Sequence, residues 1–250
     1  MAGVTLDGFP AATLARRWGV PRCEVAASLG STLDRAHALA AADAPGGTVV
    51  LALEQTAGRG RDGRTWHSPP GGLWLALLLR PRAATLGIVS IRAGLVLADV
   101  VDELAGRPLA RLKWPNDVLV GDRKLAGVLC EGRWQGDTLQ WLAIGLGVNV
   151  ANEIPSGVRD TAIALADVVP GVRLLDVLDR LVPPLTRLGA AAEQLSEQEC
   201  AAFAARDWLR DRPLRGPVRG HARGVRSDGA LLVENDREVA VVREGHIEPA

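Results

Sequence analysis

TVVLALEQTAGRGRDGRTWHSPPGGLWLALLL, residues 48–79, opens and closes on apolar runs. Residues 48–53 and 73–79 are unbroken enough to suit strands buried inside a sheet. Between them, residues 58–64 hold three arginines (Arg59, Arg61, Arg64) and three glycines (Gly58, Gly60, Gly63), a spacing that neither helix nor strand favours. Glycines at this density discard packing and raise the entropic cost of ordering, so the segment is either a solvated loop or one that orders around something. Arginine forks suit carboxylates and phosphates, and bare glycine N–H groups can approach the same ligand. A basic surface loop or nucleic-acid patch is the competing reading. Either way, the loop is suspended between two rigid strands, a common way to hold a functional segment.

Composition narrows these options. The chain has 250 residues, 48% hydrophobic and 23% charged, which suits one large globular domain or a large and a small one. Lys+Arg and Asp+Glu are each 29, so the net charge is zero and no bulk attraction to nucleic acid is built in. Cys23, Cys130 and Cys200 are widely spaced, without a CxxC pair, which fits free buried thiols in a reducing compartment. His37, His67, His221 and His246 form no ligand motif, so no protein-only metal site is expected. No run of about 18 apolar residues and no leader pattern is present, giving the expectation of a cytoplasmic protein that engages neither membrane nor nucleic acid. Lysine occurs only at Lys113 and Lys124, close together, which calls for a specific reason.

Along the chain, residues 11–18 have helical spacing and stop at Gly19 and Pro21. LARRWGVPR resembles half of a helix-turn-helix, but the next segment runs into Gly30, Ser31 and Thr32, so a short helix and then a strand is the expectation. Ser31 or Thr32 is placed to cap the helix that follows. Residues 86–104 repeat apolar positions at helical spacing (Ile88, Ile91, Leu95, Ala98, Val101). LKWPNDVLV (112–120) and KLAGVLCEGRW (124–134) read as strands turned at Gly121 and Asp122, with Pro115 forcing an edge, bend or bulge. A second hairpin at Gly136 and Asp137 leads into WLAIGLGVNV (141–150). Residues 174–195 and 197–209 read as two amphipathic helices, the first broken or kinked at Pro183 and Pro184. From Arg212 onward, short Val/Leu/Ile segments alternate with Gly and Asp turns, Ser227-Asp228-Gly229 being the clearest, as in a small barrel of four or five strands.

No GxxxxGK[ST] loop, third glycine of a dinucleotide fingerprint, or GxSxG elbow is present. Arginines, two lysines and fixed amides remain, an inventory suited to stabilising charge at a phosphorus or carboxylate centre. GRGRDGRTW (58–66), KWPNDVLV (113–120), RKLAGVL (123–129) and GLGVNV (145–150), in that order and spacing, resemble the biotin–protein ligase family, from about Ser31 to the C-terminus. The resemblance implies an α+β fold: a mixed β-sheet catalytic domain with helices, related to class II aminoacyl-tRNA synthetases (1–211), and a small C-terminal SH3-like β-barrel (212–250). It implies joining of biotin and ATP, with Mg²⁺, into biotinyl-5′-AMP. The biotinyl group then passes to one lysine of a biotin carboxyl carrier protein domain. Since too few residues precede Ser31 for the DNA-binding domain of some members, the monofunctional type is expected.

By the same resemblance, Lys124 matches the catalytic lysine and Arg59 assists it. Ser31, Thr32, Leu33, Gln55, Arg59, Gly60, Arg61 and Lys124 would contact biotin. Arg61, Arg64, Trp66, Lys113, Asn116, Asp117 and Asn149 would contact ATP or the adenylate. The family's usual Ser-Thr-Asn is Ser-Thr-Leu here, so Leu33 is expected to contribute through its backbone alone. Two alternatives stand beside this reading: a lipoate or octanoate ligase or transferase of the same superfamily, and a non-catalytic biotin-sensing module.

Overall fold

Apolar runs at 48–53 and 73–79 become neighbouring strands at the heart of the sheet. The computed structural model describes residues 4–81, 84–216, 218–245 and 247–249; His246 and residues 1–3 of the expected catalytic unit lie outside them. A short hairpin, β1 (Thr5–Leu6) and β2 (Phe9–Pro10), leads into α1 (Ala11–Trp18), which Gly19 ends in the left-handed region (φ 66°). β3 (Cys23–Ala26) follows, so helix and then strand is the arrangement found. Next come α2 (Thr32–Ala41), β4 (Thr48–Ala52) and β5 (Leu73–Leu79). α3 (Leu86–Ala105) precedes four strands: β6 (Ala110–Lys113), β7 (Asp117–Val120), β8 (Arg123–Gln135) and β9 (Thr138–Val148). α4 (Leu174–Thr186) and α5 (Glu197–Arg206) complete the larger part.

The large sheet has the order β3-β4-β5-β9-β8-β7-β6, with β3 parallel to β4 and the other pairs antiparallel. Every residue of β4 and β5 is buried, because both faces of the sheet's middle are covered. On one face α3 buries its whole predicted stripe, and α4 and α5 pack over the helix. α2 covers part of the other face through Leu33, Ala36, Leu39 and Ala40, which meet Val50, Ala76, Leu78 and Ala143. The uncovered remainder of that face carries the site. Register sets Ala52 opposite Trp74, Leu73 opposite Val148, Val148 opposite Ala126, and Asp117 opposite Gly127, so the long β4–β5 connection hangs at one end of the sheet beside β7 and β8.

Three local expectations are corrected. The segment 112–120 is two strands that reverse across Trp114, Pro115 and Asn116, with Lys113 paired to Asp117 and a cis Trp114–Pro115 peptide. Proline, which lacks a donor, sits in the reversal and not in a ladder. α4 runs through Pro183 and Pro184 and stops at Thr186, since both prolines fall in its last turn, and a 3-10 turn (Arg187–Ala190) follows. The three cysteines are free, as expected, but half-buried.

At the C-terminus, β10 (Pro213–Gly216), β11 (Gly220–Val225), β12 (Leu231–Glu234), β13 (Val239–Val242) and β14 (Glu248–Pro249) form an antiparallel sheet in the order β13-β12-β11-β10-β14. Its β11–β12 turn is the one expected at 227–229, with Gly229 at φ 79°. That turn is seated on the larger part: the buried indole N–H of Trp114 donates to Gly229 O at 2.9 Å. The α+β architecture expected from the sequence is thus the one adopted.

Asp207, where α5 gives way to β10, is 5% exposed. Its Oδ1 accepts from Leu209 N at 2.9 Å, whereas Oδ2 has no partner among the described residues. Burial pushes this carboxyl up to about 6. The folded chain therefore holds the proton more tightly than the unfolded one, whose aspartates titrate near ~3.9. The contribution to stability is most favourable below about pH 4 and is lost as pH rises through about 6. Asp207→Asn, which keeps the Oδ1 acceptor, is expected to stabilise the fold at pH 8 by about 1–2 kcal/mol and to change little at pH 4. Thermal melts at both pH values measure this, and equal shifts at the two would refute it.

Candidate active site

Alternate residues of a strand face one side, and on β9 the site side carries Gly145 and Gly147, with Gly127 beside them on β8. Backbone therefore forms the floor. A Cβ at Gly145 would lie 2.8 Å from Leu33 Cδ1, and one at Gly147 would lie 2.6 Å from Trp66 Nε1. At Gly127 it would come within 3.2 Å of the Trp66 ring. Above this floor is a cleft of about 240 Å³. Leu33 departs from its expectation here, for its side chain packs on Gly145 and lines the cleft.

One wall is the start of α2. Ser31 occupies the N-cap position but makes no side-chain cap bond, and its buried hydroxyl lines the cleft instead. Gln55 does the capping across 23 residues of sequence: its Oε1 accepts from Thr32 N at 2.8 Å and from Thr32 Oγ1 at 3.0 Å. Gln55 Nε2 donates to Ser68 Oγ (2.9 Å), which donates to Trp66 O (3.1 Å). The glycine loop is thereby clamped at both ends to α2.

Within the loop, Trp66 N donates to Gly58 O (2.9 Å) and Gly60 N to Arg64 O (2.7 Å), so the segment folds as a small hairpin over a 3-10 turn (Arg61–Gly63). Only glycine fits at 58, where a Cβ would sit 2.5 Å from Trp66 O. Arg59 is held by Asp34 of α2 at 2.6 Å and by Glu131 of β8 at 3.4 Å, while Arg61 and Arg64 line the cleft. Hydrogen bonding from His37, ahead of the attraction of Arg59, holds the Glu131 carboxyl below the usual range despite its partial burial.

The opposite wall comes from β6, β7 and β8. Lys124 Nζ lies 2.7 Å from Asp117 Oδ1 and 5.0 Å from the centre of the Trp66 ring. Lys113 also lines the cleft, with its ammonium 5.4 Å from the Trp208 ring. Asn116 donates through Nδ2 to Val128 O (2.9 Å) and accepts from Val128 N at its carbonyl (2.9 Å), which fixes the reversal on β8.

One cleft thus gathers Ser31, Thr32, Leu33, Gln55, Arg59, Gly60, Arg61, Arg64, Trp66, Lys113, Asn116, Asp117 and Lys124. Asn149 is set apart, in a neighbouring pocket of about 200 Å³ with Asn152, Ile154 and Val158. The two cavities share Thr65, Trp66 and Lys124, and the buried Trp66 Nε1 has no acceptor among the described residues. Among those residues no cluster of three or more His, Cys, Asp or Glu could hold a metal. Sequence reasoning missed the partners of Arg59, for which no local signal existed. It also missed the floor glycines, which their i, i+2 spacing in a buried strand could have revealed.

Residues 26–149 match the biotin/lipoate A/B protein ligase family. Over 236 residues the chain is 33% identical to the bifunctional ligase/repressor BirA of Bacillus subtilis, a match covering 88% of this chain and 71% of that protein. It is 32% identical over 246 residues to the biotin–[acetyl-CoA-carboxylase] ligase of Mycobacterium tuberculosis, covering 92% and 89% of the two chains. Among solved structures, a biotin protein ligase from Aquifex aeolicus in complex with biotin and ATP matches with a TM-score of 0.75 and 27% identity, over 92% of this chain and 99% of that one. With the cleft, the sheet order and these likenesses in agreement along most of its length, the chain belongs to the biotin protein ligase family.

Proposed function

We propose that the chain is an ATP-dependent biotin–protein ligase. The biotin carboxylate attacks the α-phosphorus of ATP, and pyrophosphate leaves. The amine of an acceptor lysine on a biotin carboxyl carrier protein domain then attacks the biotinyl carbonyl, and AMP leaves. One observation carries this reading: Lys124, the strand lysine of the KLAG motif, stands where two cavities meet, one floored by glycine and lined by cations, the other apolar with two amides. An acyl acid in the first and a nucleobase in the second bring carboxylate and α-phosphate together beside this ammonium. Lys124 offsets their mutual repulsion and the charge that develops between them.

Ser31, Thr32, Leu33 and Gln55 bound the biotin end of the cleft; Trp66, Asn149 and Asn152 bound the base. Arg59, Gly60, Arg61 and Arg64 close over the join, with Lys113 and Asn116 on the opposite wall. Asp117 is the acid suited to Mg²⁺ arriving on ATP, since a single carboxylate with phosphate oxygens is this ion's usual environment, and the bound ion would neutralise phosphate charge. Residues 1–211 form the catalytic unit and 212–250 the appended barrel. Among the described residues no helix is long and apolar enough to cross a membrane; with three free cysteines this supports a cytoplasmic setting.

Incubation with ATP, Mg²⁺, biotin and an acceptor domain, followed by mass measurement, is expected to show one biotinyl group added to the acceptor. An unmodified acceptor would refute the ligase. Because the matched family also includes lipoate ligases, parallel calorimetric titrations with biotin and lipoate should give heat with biotin alone.

A further inference from the structure

Arg59 is reached by a chain of hydrogen bonds that begins outside the cleft. Trp141 Nε1 on β9 donates to His37 Nδ1 on α2 at 2.9 Å, and His37 Nε2 lies 2.9 Å from Glu131 Oε2. An indole N–H can only donate, so His37 Nδ1 must accept; the ring proton then sits on Nε2 and is given to Glu131. Glu131 in turn accepts from Arg59 Nη2, while Arg59 Nη1 donates to Asp34. The direction of every bond is thus set by a group that has no choice of role.

The two acids on Arg59 differ in kind. Asp34 is 57% exposed on the first turn of α2, where screening leaves an ion pair little strength even at 2.6 Å. Glu131 is 31% exposed, is paired to Ala143 of β9 in the sheet, and has its carboxylate oriented by His37. Because they hold different nitrogens, an anionic ligand can take Nη1 from Asp34 without Arg59 leaving Glu131.

Building on the ligase reading above, we propose that Glu131, oriented by His37 and Trp141, is a positioning residue that holds Arg59 in place to close the glycine loop over the acyl-adenylate. Glu131 touches no substrate and acts only through Arg59. Asp34 serves as a counter-ion that the ligand displaces.

The experiment is a double-mutant cycle between Glu131 and Arg59, read by biotinyl-adenylate formation and by retention of the adenylate on the enzyme. Glu131→Ala is expected to lower kcat/KM about tenfold and to speed adenylate loss, with Arg59→Ala at least as severe and the double variant no worse than Arg59→Ala alone. Trp141→Phe, which keeps a ring but removes the donor, should show a smaller change of the same sign. Glu131→Gln, nearly isosteric, covers the event that the alanine variant fails to fold. Additive losses in an active wild-type background would overturn this proposal alone, whereas a wild-type protein that makes no adenylate would overturn the ligase reading as well. A readout without ligand separates the two further: amide exchange across residues 58–66 should quicken in Glu131→Ala and Glu131→Gln but not in Asp207→Asn. Unchanged exchange in both Glu131 variants would refute the anchor whatever the activity.

Discussion

Lys124→Ala is expected to abolish formation of biotinyl-adenylate while leaving the melting temperature almost unchanged. The fold should lose little. The ammonium is 35% exposed and its pairing with Asp117, though 2.7 Å long, belongs to a class worth about 0–1 kcal/mol because water competes for both ions. Carboxylate and phosphate repel each other at the distance the reaction needs, and in the role proposed for Lys124 no neutral side chain could replace the cation. Cations that act in this way on a transferring phosphorus contribute on the order of 10³-fold or more to the rate. Lys124→Arg should restore only part of it, since a planar guanidinium cannot occupy the point-like position of an ammonium. Pyrophosphate release with biotin and ATP measures both variants, and undiminished release by Lys124→Ala would remove this lysine from the mechanism.

Gly147→Ala is expected to have the next largest effect, from one added carbon. Its Cβ would lie 2.6 Å from Trp66 Nε1 and 2.7 Å from Trp66 Cε2, so either the indole or the strand must move. β9 is paired on both sides, by β5 and β8, and does not yield easily. The indole moves instead, and with it the wall shared by the two cavities and the ring beneath Lys124. Misplacement of reacting groups by about 1 Å costs roughly 100-fold, and a loss of that order, with a raised KM for ATP, is the expected result. Gly87→Ala is the control, since a Cβ there meets nothing within 4 Å and activity should be retained. Activity of Gly147→Ala within a few fold of wild type would show that Trp66 has room to spare.

What could be read from the sequence was whatever repeats locally. Residues 48–53 and 73–79 announced buried strands because every position in them but Thr48 is apolar, and the α3 stripe announced a helix because its period is 3.6. Turn chemistry at Ser227-Asp228-Gly229 was equally local. The motifs placed the cleft, yet the bonds that shape it join distant residues: Thr32 and Gln55 are 23 positions apart, Arg59 and Glu131 are 72, and His37 and Trp141 are 104. Such pairs leave no periodic trace. Local preference also misled at Ser31, where a good capping residue was present but makes no cap bond; Gln55, from another element, instead accepts from the first helical N–H, that of Thr32, and Ser31 lines the cleft.

Trp114 stands at the reversal between β6 and β7, two residues ahead of Asn116, and the acceptor of its buried indole N–H among the described residues is a carbonyl of the β11–β12 turn. Losing that acceptor would strand a buried donor at a cost of about 1–3 kcal/mol. Gly245, from the same C-terminal segment, forms part of the cleft wall itself. The C-terminal segment thus helps both to hold the β6–β7 turn and to wall the cleft. Displacing the last forty or so residues is therefore expected to disturb the turn beside Lys113 and Asp117 and, with it, the shape of the cleft.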